Sequence, residues 1–158
     1  MKLAPMTEAR AREVCSWTYP SPYAIYDMGP WQHALQQGRV VANAALRAQQ
    51  MLAVLDEEDA LTTCLRLFER DGRWMMGIAL RPDLCGLGLG PAVVRLGLEE
   101  HQRRSPGQPL WLEVQDWNTR AIGCYERVGF EIVEKAQRET PSGAGVYVVM
   151  RFAVQRAG

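Results

Sequence analysis

Three glycines, Gly86, Gly88 and Gly90, alternate where a strand-like run gives way to a helix-like one. Glycine tolerates backbone conformations closed to other residues, so successive N–H groups can be turned into one space. The helix that follows adds unpaired N–H groups and the positive end of its dipole. Such a loop is either a tight turn or an anion cradle of a size to hold phosphate or pyrophosphate. Two common phosphate motifs do not fit. No Lys-Ser/Thr pair follows the last glycine, as a nucleotide-triphosphate loop requires. The spacing is GxGxG after a meander, whereas a dinucleotide fold needs GxGxxG inside a parallel βαβ unit.

Other chemistries find less support. Cys15, Cys64, Cys85 and Cys124 are scattered, with no CxxC pair, so neither a metal site nor a disulfide framework is expected. The 158 residues carry 18 basic and 18 acidic side chains, and a zero balance argues against nucleic acid as a partner. No signal peptide is evident, and no apolar run is long enough to span a membrane, so a cytoplasmic location is expected.

The elements that must position the glycine loop follow from pattern. Thr7–Trp17 reads as a helix with Thr7 as N-cap, and Tyr19–Tyr26 as a loop rich in tyrosine and proline. Pro30–Gln37 is a weakly marked helix, and Arg39–Arg47 is apolar without a clean period. Gln50–Leu55, Leu61–Phe68 and Trp74–Leu80 form a predicted antiparallel meander, turned at Asp56–Asp59 and at Arg70–Gly72. A helix over Pro91–Arg103 has proline at a favourable first position and Arg103 and Arg104 at its C-terminal end. Leu110–Val114 is a strand, Asn118–Val128 a helix closed by Gly129, and Phe130–Val133 and Val146–Phe152 two last strands joined by a turn at Pro141–Gly145. Length and the absence of a linker predict one α+β domain over 1–158.

The residues then resemble a known family. Leu80–Pro91, LRPDLCGLGLGP, is similar to the acetyl-CoA motif [R/Q]-x-x-G-x-G/A of the GNAT acetyltransferases. Leu112–Phe130, LEVQDWNTRAIGCYERVGF, resembles that family's second signature, L-x-V-x-x-x-N-x-x-A-x-x-x-Y-x-x-x-G-F, at every fixed letter. The match covers roughly residues 74–152, and the preceding chain agrees in general layout.

The resemblance implies a mixed, mostly antiparallel, twisted sheet of six to seven strands with about four helices, and a CoA cleft between splayed central strands. It implies acetyl-CoA as co-substrate, no metal, and transfer to a primary amine of a small molecule or peptide. By the same resemblance the pantetheine arm would pair with backbone at Ile78, Ala79 and Leu80. The N–H groups of Cys85, Gly86, Leu87, Gly88, Leu89 and Gly90 would hold the pyrophosphate. Asn118 would contact the CoA arm, and Tyr125 would sit beside the sulfur as general acid. One position departs from the motif: Cys85 stands where Arg or Gln is usual, removing a phosphate contact worth about 1.5–3 kcal/mol. Arg81 is a candidate substitute, and Cys85 is expected at a helix N-terminus, where thiol pKa values fall.

The implied mechanism is direct attack by a neutral amine. Tyr125 protonates the departing thiolate, uphill by roughly 2 kcal/mol from ordinary pKa values. Read alone, Tyr125 is equally a core aromatic on an amphipathic helix. Glu113, with Asp116, Glu69 and Asp71 as further carboxylates, is the candidate base. Glu113 alternates with Leu112 and Val114, which sets it on the opposite face of its strand. Deprotonating a lysine-like amine at neutral pH costs roughly 4–5 kcal/mol and an α-amine about 1, so the lack of an obvious base leans towards an α-amine or another weakly basic amine, or towards a water relay. Tyr23 and Tyr26, with Trp17 and Tyr19, either line an acceptor pocket or cover the sheet's end. A non-catalytic acyl-CoA-binding or sensing module of the same fold is the competing reading. The protein is expected to be a monomer or a homodimer.

Overall fold

The structure is a computed structural model that describes residues 1–140 and 143–153. It is a mixed α+β fold with a seven-stranded sheet in the order β1-β2-β3-β4-β5-β7-β6. The strands are β1 (Lys2–Pro5), β2 (Met51–Leu55), β3 (Leu61–Arg70), β4 (Arg73–Leu80), β5 (Leu110–Gln115), β6 (Glu131–Thr140) and β7 (Gly143–Phe152). Five α-helices are described: α1 (Glu8–Cys15), α2 (Trp31–Gln36), α3 (Ala44–Gln50), α4 (Gly90–Arg104) and α5 (Thr119–Val128). The described pairings are antiparallel except β4 with β5, which run parallel through Trp74↔Leu110 and Met75↔Trp111. The chain divides into two compact units, Met1–Arg66 with Ile78–Leu87, and Leu67–Gly77 with the chain from Gly88 onward.

In the first unit, Thr7 caps α1 as expected, its side chain accepting the Arg10 N–H at 3.3 Å. Ala11, Val14 and Cys15 then face one cluster with Trp17, Trp31, Met51, Ala53, Leu55 and Cys64. Strand β1 was not legible, because Lys-Leu-Ala-Pro has no alternation; it forms by pairing with β2, Lys2↔Leu55 to Pro5↔Leu52. The ambiguous stretch resolves into a 3₁₀ turn at Val40–Ala42 and α3, capped by Asn43 through the Leu46 N–H at 3.0 Å. Its missing period has a cause: Arg47 is buried and donates to the Met6 and Val41 carbonyls, a polar group inside the apolar face.

In the second unit, Asp71 and Gly72 have φ of 52° and 76°, the positive pair that a two-residue hairpin between β3 and β4 requires. Helix α5 ends at Gly129, φ 117°, in the left-handed conformation that glycine supplies without strain. Strand β5 alternates. Leu110, Leu112 and Val114 are buried on one face, while Trp111 joins Met75 and Val149 in a separate cluster on the other. Strands β6 and β7 are both longer than the sequence indicates, and Gly143–Gly145 belong to β7 rather than to a turn. The rest of that predicted turn, Pro141 and Ser142, lies outside the described residues.

Candidate functional site

The loop between β4 and α4 opens with a 3₁₀ turn, Pro82–Leu84, then extends at Cys85. Gly86 and Gly88 follow with φ of 78° and 80°, and nothing lies within 4 Å of where a side chain on either would begin. What demands glycine there is backbone conformation and not crowding. Gly86, Leu87 and Gly88 are exposed, and Leu87 is 65% accessible. Helix α4 has no side-chain cap, so its first N–H groups keep the orphan donor capacity of an open helix N-terminus. An exposed run of flexible-torsion N–H groups entering an uncapped helix can hold a multiply charged anion.

Gly90 is glycine for a different reason. A Cβ there would stand 2.7 Å from the Cys124 sulfur, so α4 and α5 meet closely at this point. Gly90→Ala is expected to destabilise the protein by about 1–3 kcal/mol in urea unfolding. Cys124→Ala should relieve most of that loss in the double variant, a coupling that a double-mutant cycle reads directly.

Cys85 does not sit at a helix N-terminus, contrary to expectation. It caps the end of the 3₁₀ turn, five positions before α4 begins, with its sulfur 3.7–3.9 Å from the Arg81 and Leu80 carbonyls. Arg81 is engaged elsewhere: it forks onto Asp83 at 2.7 and 3.1 Å and donates to the Leu61 carbonyl at 2.9 Å.

The direction of the β4 backbone sorts the three residues expected to carry edge contacts. The Arg81 N–H donates to Thr62 O at 2.8 Å, on the β3 side. In a trans peptide the preceding carbonyl points the opposite way, so Leu80 C=O lies on the edge of β4 turned from β3. By strand alternation Ile78 shares that edge, whereas Ala79 turns its N–H and C=O towards β3. Ala79 is therefore not an edge contact.

Asn118 is the N-cap of α5: it is buried, and its Oδ1 accepts the Ala121 N–H at 3.2 Å. Tyr125 is half-buried, its ring 6.1 Å from Phe130 in an edge-on contact, and Phe130 continues to Phe152 at 5.6 Å. Tyr23 and Tyr26 are half-buried at the two ends of a 3₁₀ turn, while Trp17 is 7% exposed and belongs to the core cluster rather than to a pocket wall. Tyr19 carries a contact the sequence does not show, its hydroxyl donating to Leu80 O at 2.6 Å.

Glu113 faces away from Leu112 and Val114 as expected, and its surroundings are wrong for a base. Its carboxylate meets Arg138 at 2.6 Å and Arg70 at 2.8 Å. Burial pushes its pKa up, but the two guanidiniums outweigh burial and hold it below the usual carboxylate value. A carboxylate so held binds a proton poorly near neutral pH. Its ion pairs contribute stability above the unfolded carboxylate pKa of about 4.3, and that contribution is lost as pH falls through the lower folded value. Glu113→Gln is expected to lower the urea midpoint at about pH 7 and to approach wild type at about pH 3.

These positions meet independent comparisons. The sequence profile of the acetyltransferase (GNAT) family matches residues 7–130. The chain belongs to the GNAT acetyltransferase family. No curated protein matches the sequence. Among solved structures, the ribosomal-protein-S18-alanine N-acetyltransferase of Escherichia coli is 17% identical with a TM-score of 0.66, over 99% of this chain and 96% of that one. A spermidine N-acetyltransferase of Vibrio cholerae is 14% identical with a TM-score of 0.73, over 96% and 92%. A GNAT-family acetyltransferase of Bacillus anthracis is 14% identical with a TM-score of 0.61, over 71% and 70%. At these identities the likeness is one of fold. For this GNAT protein, the described residues include no group of three or more His, Cys, Asp or Glu placed to hold a metal ion. They also include no helix long and apolar enough to cross a membrane.

Proposed function

We propose that this chain works as a single acetyltransferase domain that moves an acetyl group from acetyl-CoA to a primary amine. The observation that carries the reading is the pair of positive-φ glycines, Gly86 and Gly88, in an exposed loop entering the uncapped helix α4. Acetyl-CoA supplies the activated acetyl group. The N–H groups of Cys85 to Gly90 bind its pyrophosphate, and Ile78 and Leu80 offer edge N–H and C=O groups to the extended arm. Asn118 holds the start of α5, and with it the helix bearing Tyr125, in addition to its expected contact with the arm. The Tyr125 hydroxyl gives its proton to the departing sulfur.

The acceptor is an amine that needs little help to lose its proton. Glu113 is committed to two arginines, so it does not serve as base. Within Tyr19–Met28 the sequence has one carboxylate, Asp27, and it accepts the Tyr19 N–H at 2.9 Å. A polyamine would call for several carboxylates there. An α-amine, whose pKa of about 7.8 leaves a sizeable neutral fraction at physiological pH, fits better than a polycation.

The test is calorimetric titration with acetyl-CoA, paired with thiol release over α-amines, peptides beginning with alanine, and spermidine. Micromolar binding with α-amine-dependent thiol release is the expected result. Binding with no turnover on any amine would identify a sensor of acyl-CoA instead. Absence of binding would overturn the site.

A further inference from the structure

Tyr19 makes two contacts that reach in different directions along the chain. Its backbone N–H donates to Asp27 Oδ1 at 2.9 Å, closing the segment that contains the Tyr23–Tyr26 turn. Its hydroxyl donates to Leu80 O at 2.6 Å, across 61 residues of sequence. That carbonyl is no ordinary one, because it lies on the edge of β4 turned away from β3, as the Arg81 N–H to Thr62 contact establishes. The hydroxyl is thus bound to the same strand edge that an extended ligand would follow. Burial raises the Tyr19 phenol above its ordinary value, and the neighbouring Cys85 thiol and Asp27 carboxylate add to the effect. The group therefore stays protonated, and a protonated hydroxyl is what a carbonyl partner needs.

We propose that Tyr19 is a positioning residue that clasps the Pro20–Asp27 loop onto the outward edge of β4 at Leu80, so that binding along β4 is felt in the loop. The inference rests on the acetyl-CoA reading for the identity of the ligand, and on the structure alone for the clasp. Its consequence is that the loop bearing Tyr23 and Tyr26, the candidate acceptor residues, is set in place by the donor strand. A tyrosine that merely fills space would give the loop no such dependence. Phenylalanine at position 19 keeps the ring and removes only the hydroxyl, so it separates the two.

The experiment is hydrogen exchange with mass spectrometry on the whole protein, wild type and Tyr19→Phe, with and without saturating coenzyme A. Without ligand, the amides from Ser21 to Asp27 are expected to exchange about tenfold faster in Tyr19→Phe, while Leu61–Leu65 is unchanged. With coenzyme A, wild type should show slowed exchange at both Ile78–Arg81 and the loop. Tyr19→Phe should show it at Ile78–Arg81 only. Asp27→Ala, which cuts the other end of the clasp, should behave as Tyr19→Phe does and serves if that variant fails to fold. Unchanged loop exchange in both variants, or ligand protection of the loop that survives loss of the hydroxyl, would overturn the proposal. If coenzyme A leaves Ile78–Arg81 unprotected in wild type, the acetyl-CoA reading is what fails, and the unliganded comparison then decides the clasp.

Discussion

Replacing Tyr125 with phenylalanine is expected to lower kcat for acetyl transfer by about a hundredfold, at the modest end of what a general acid contributes. Binding of acetyl-CoA should stay within about twofold of wild type. The ring packs against Phe130, which is 2% exposed, and phenylalanine preserves that contact. The hydroxyl goes, and with it the proton proposed for the departing thiolate. A phenol is a far better proton source for that thiolate than bulk water is. Glu113→Gln is the natural control, since its carboxylate is bound to Arg70 and Arg138. That change should leave kcat at neutral pH near wild type. If Tyr125→Phe turned over at the wild-type rate, the leaving thiolate would have another proton source. If Glu113→Gln abolished turnover, the ion pairs would have to open in the complex.

How far the sequence goes depends on whether a feature is local. The α5 boundaries were legible because Asn118 and Gly129 cap by their own side chain and backbone. The β3–β4 hairpin was legible because Asp71-Gly72 is a local turn. Strand β1 was not, since Lys2–Pro5 becomes a strand only by pairing with residues about fifty positions away. The same division holds at the site. The glycine loop could be read because positive φ is written into glycine itself. Glu113 looked like a base because its type is all that sequence shows; Arg138 and Arg70, which disable it, arrive from β6 and β3. The Tyr19 contact with Leu80 has no sequence signal at all. Nor does sequence reveal that Ala79 faces β3, which needs the register of one hydrogen bond.

Gly88→Ala is expected to weaken acetyl-CoA binding by about tenfold or more, with little change in global stability. At φ 80° an L side chain is strained, and the strain is of order 1–2 kcal/mol even though nothing lies within 4 Å of the added carbon. The cheapest escape is for the exposed loop to rotate towards negative φ, which redirects the N–H groups proposed to bind the pyrophosphate. The loss should therefore appear in Kd rather than in the unfolding midpoint, because Gly88 is exposed and packs against nothing there. Asparagine separates this account from a steric one. It is larger than alanine but enters the left-handed region more readily, so Gly88→Asn should retain more affinity than Gly88→Ala. A steric account predicts the reverse order, since any ligand close to position 88 would reject the larger side chain more strongly. Calorimetric titration of the two variants decides between them. Equal, wild-type affinity in both would mean that the pyrophosphate does not depend on this loop, and the CoA site would have to be sought elsewhere on the chain.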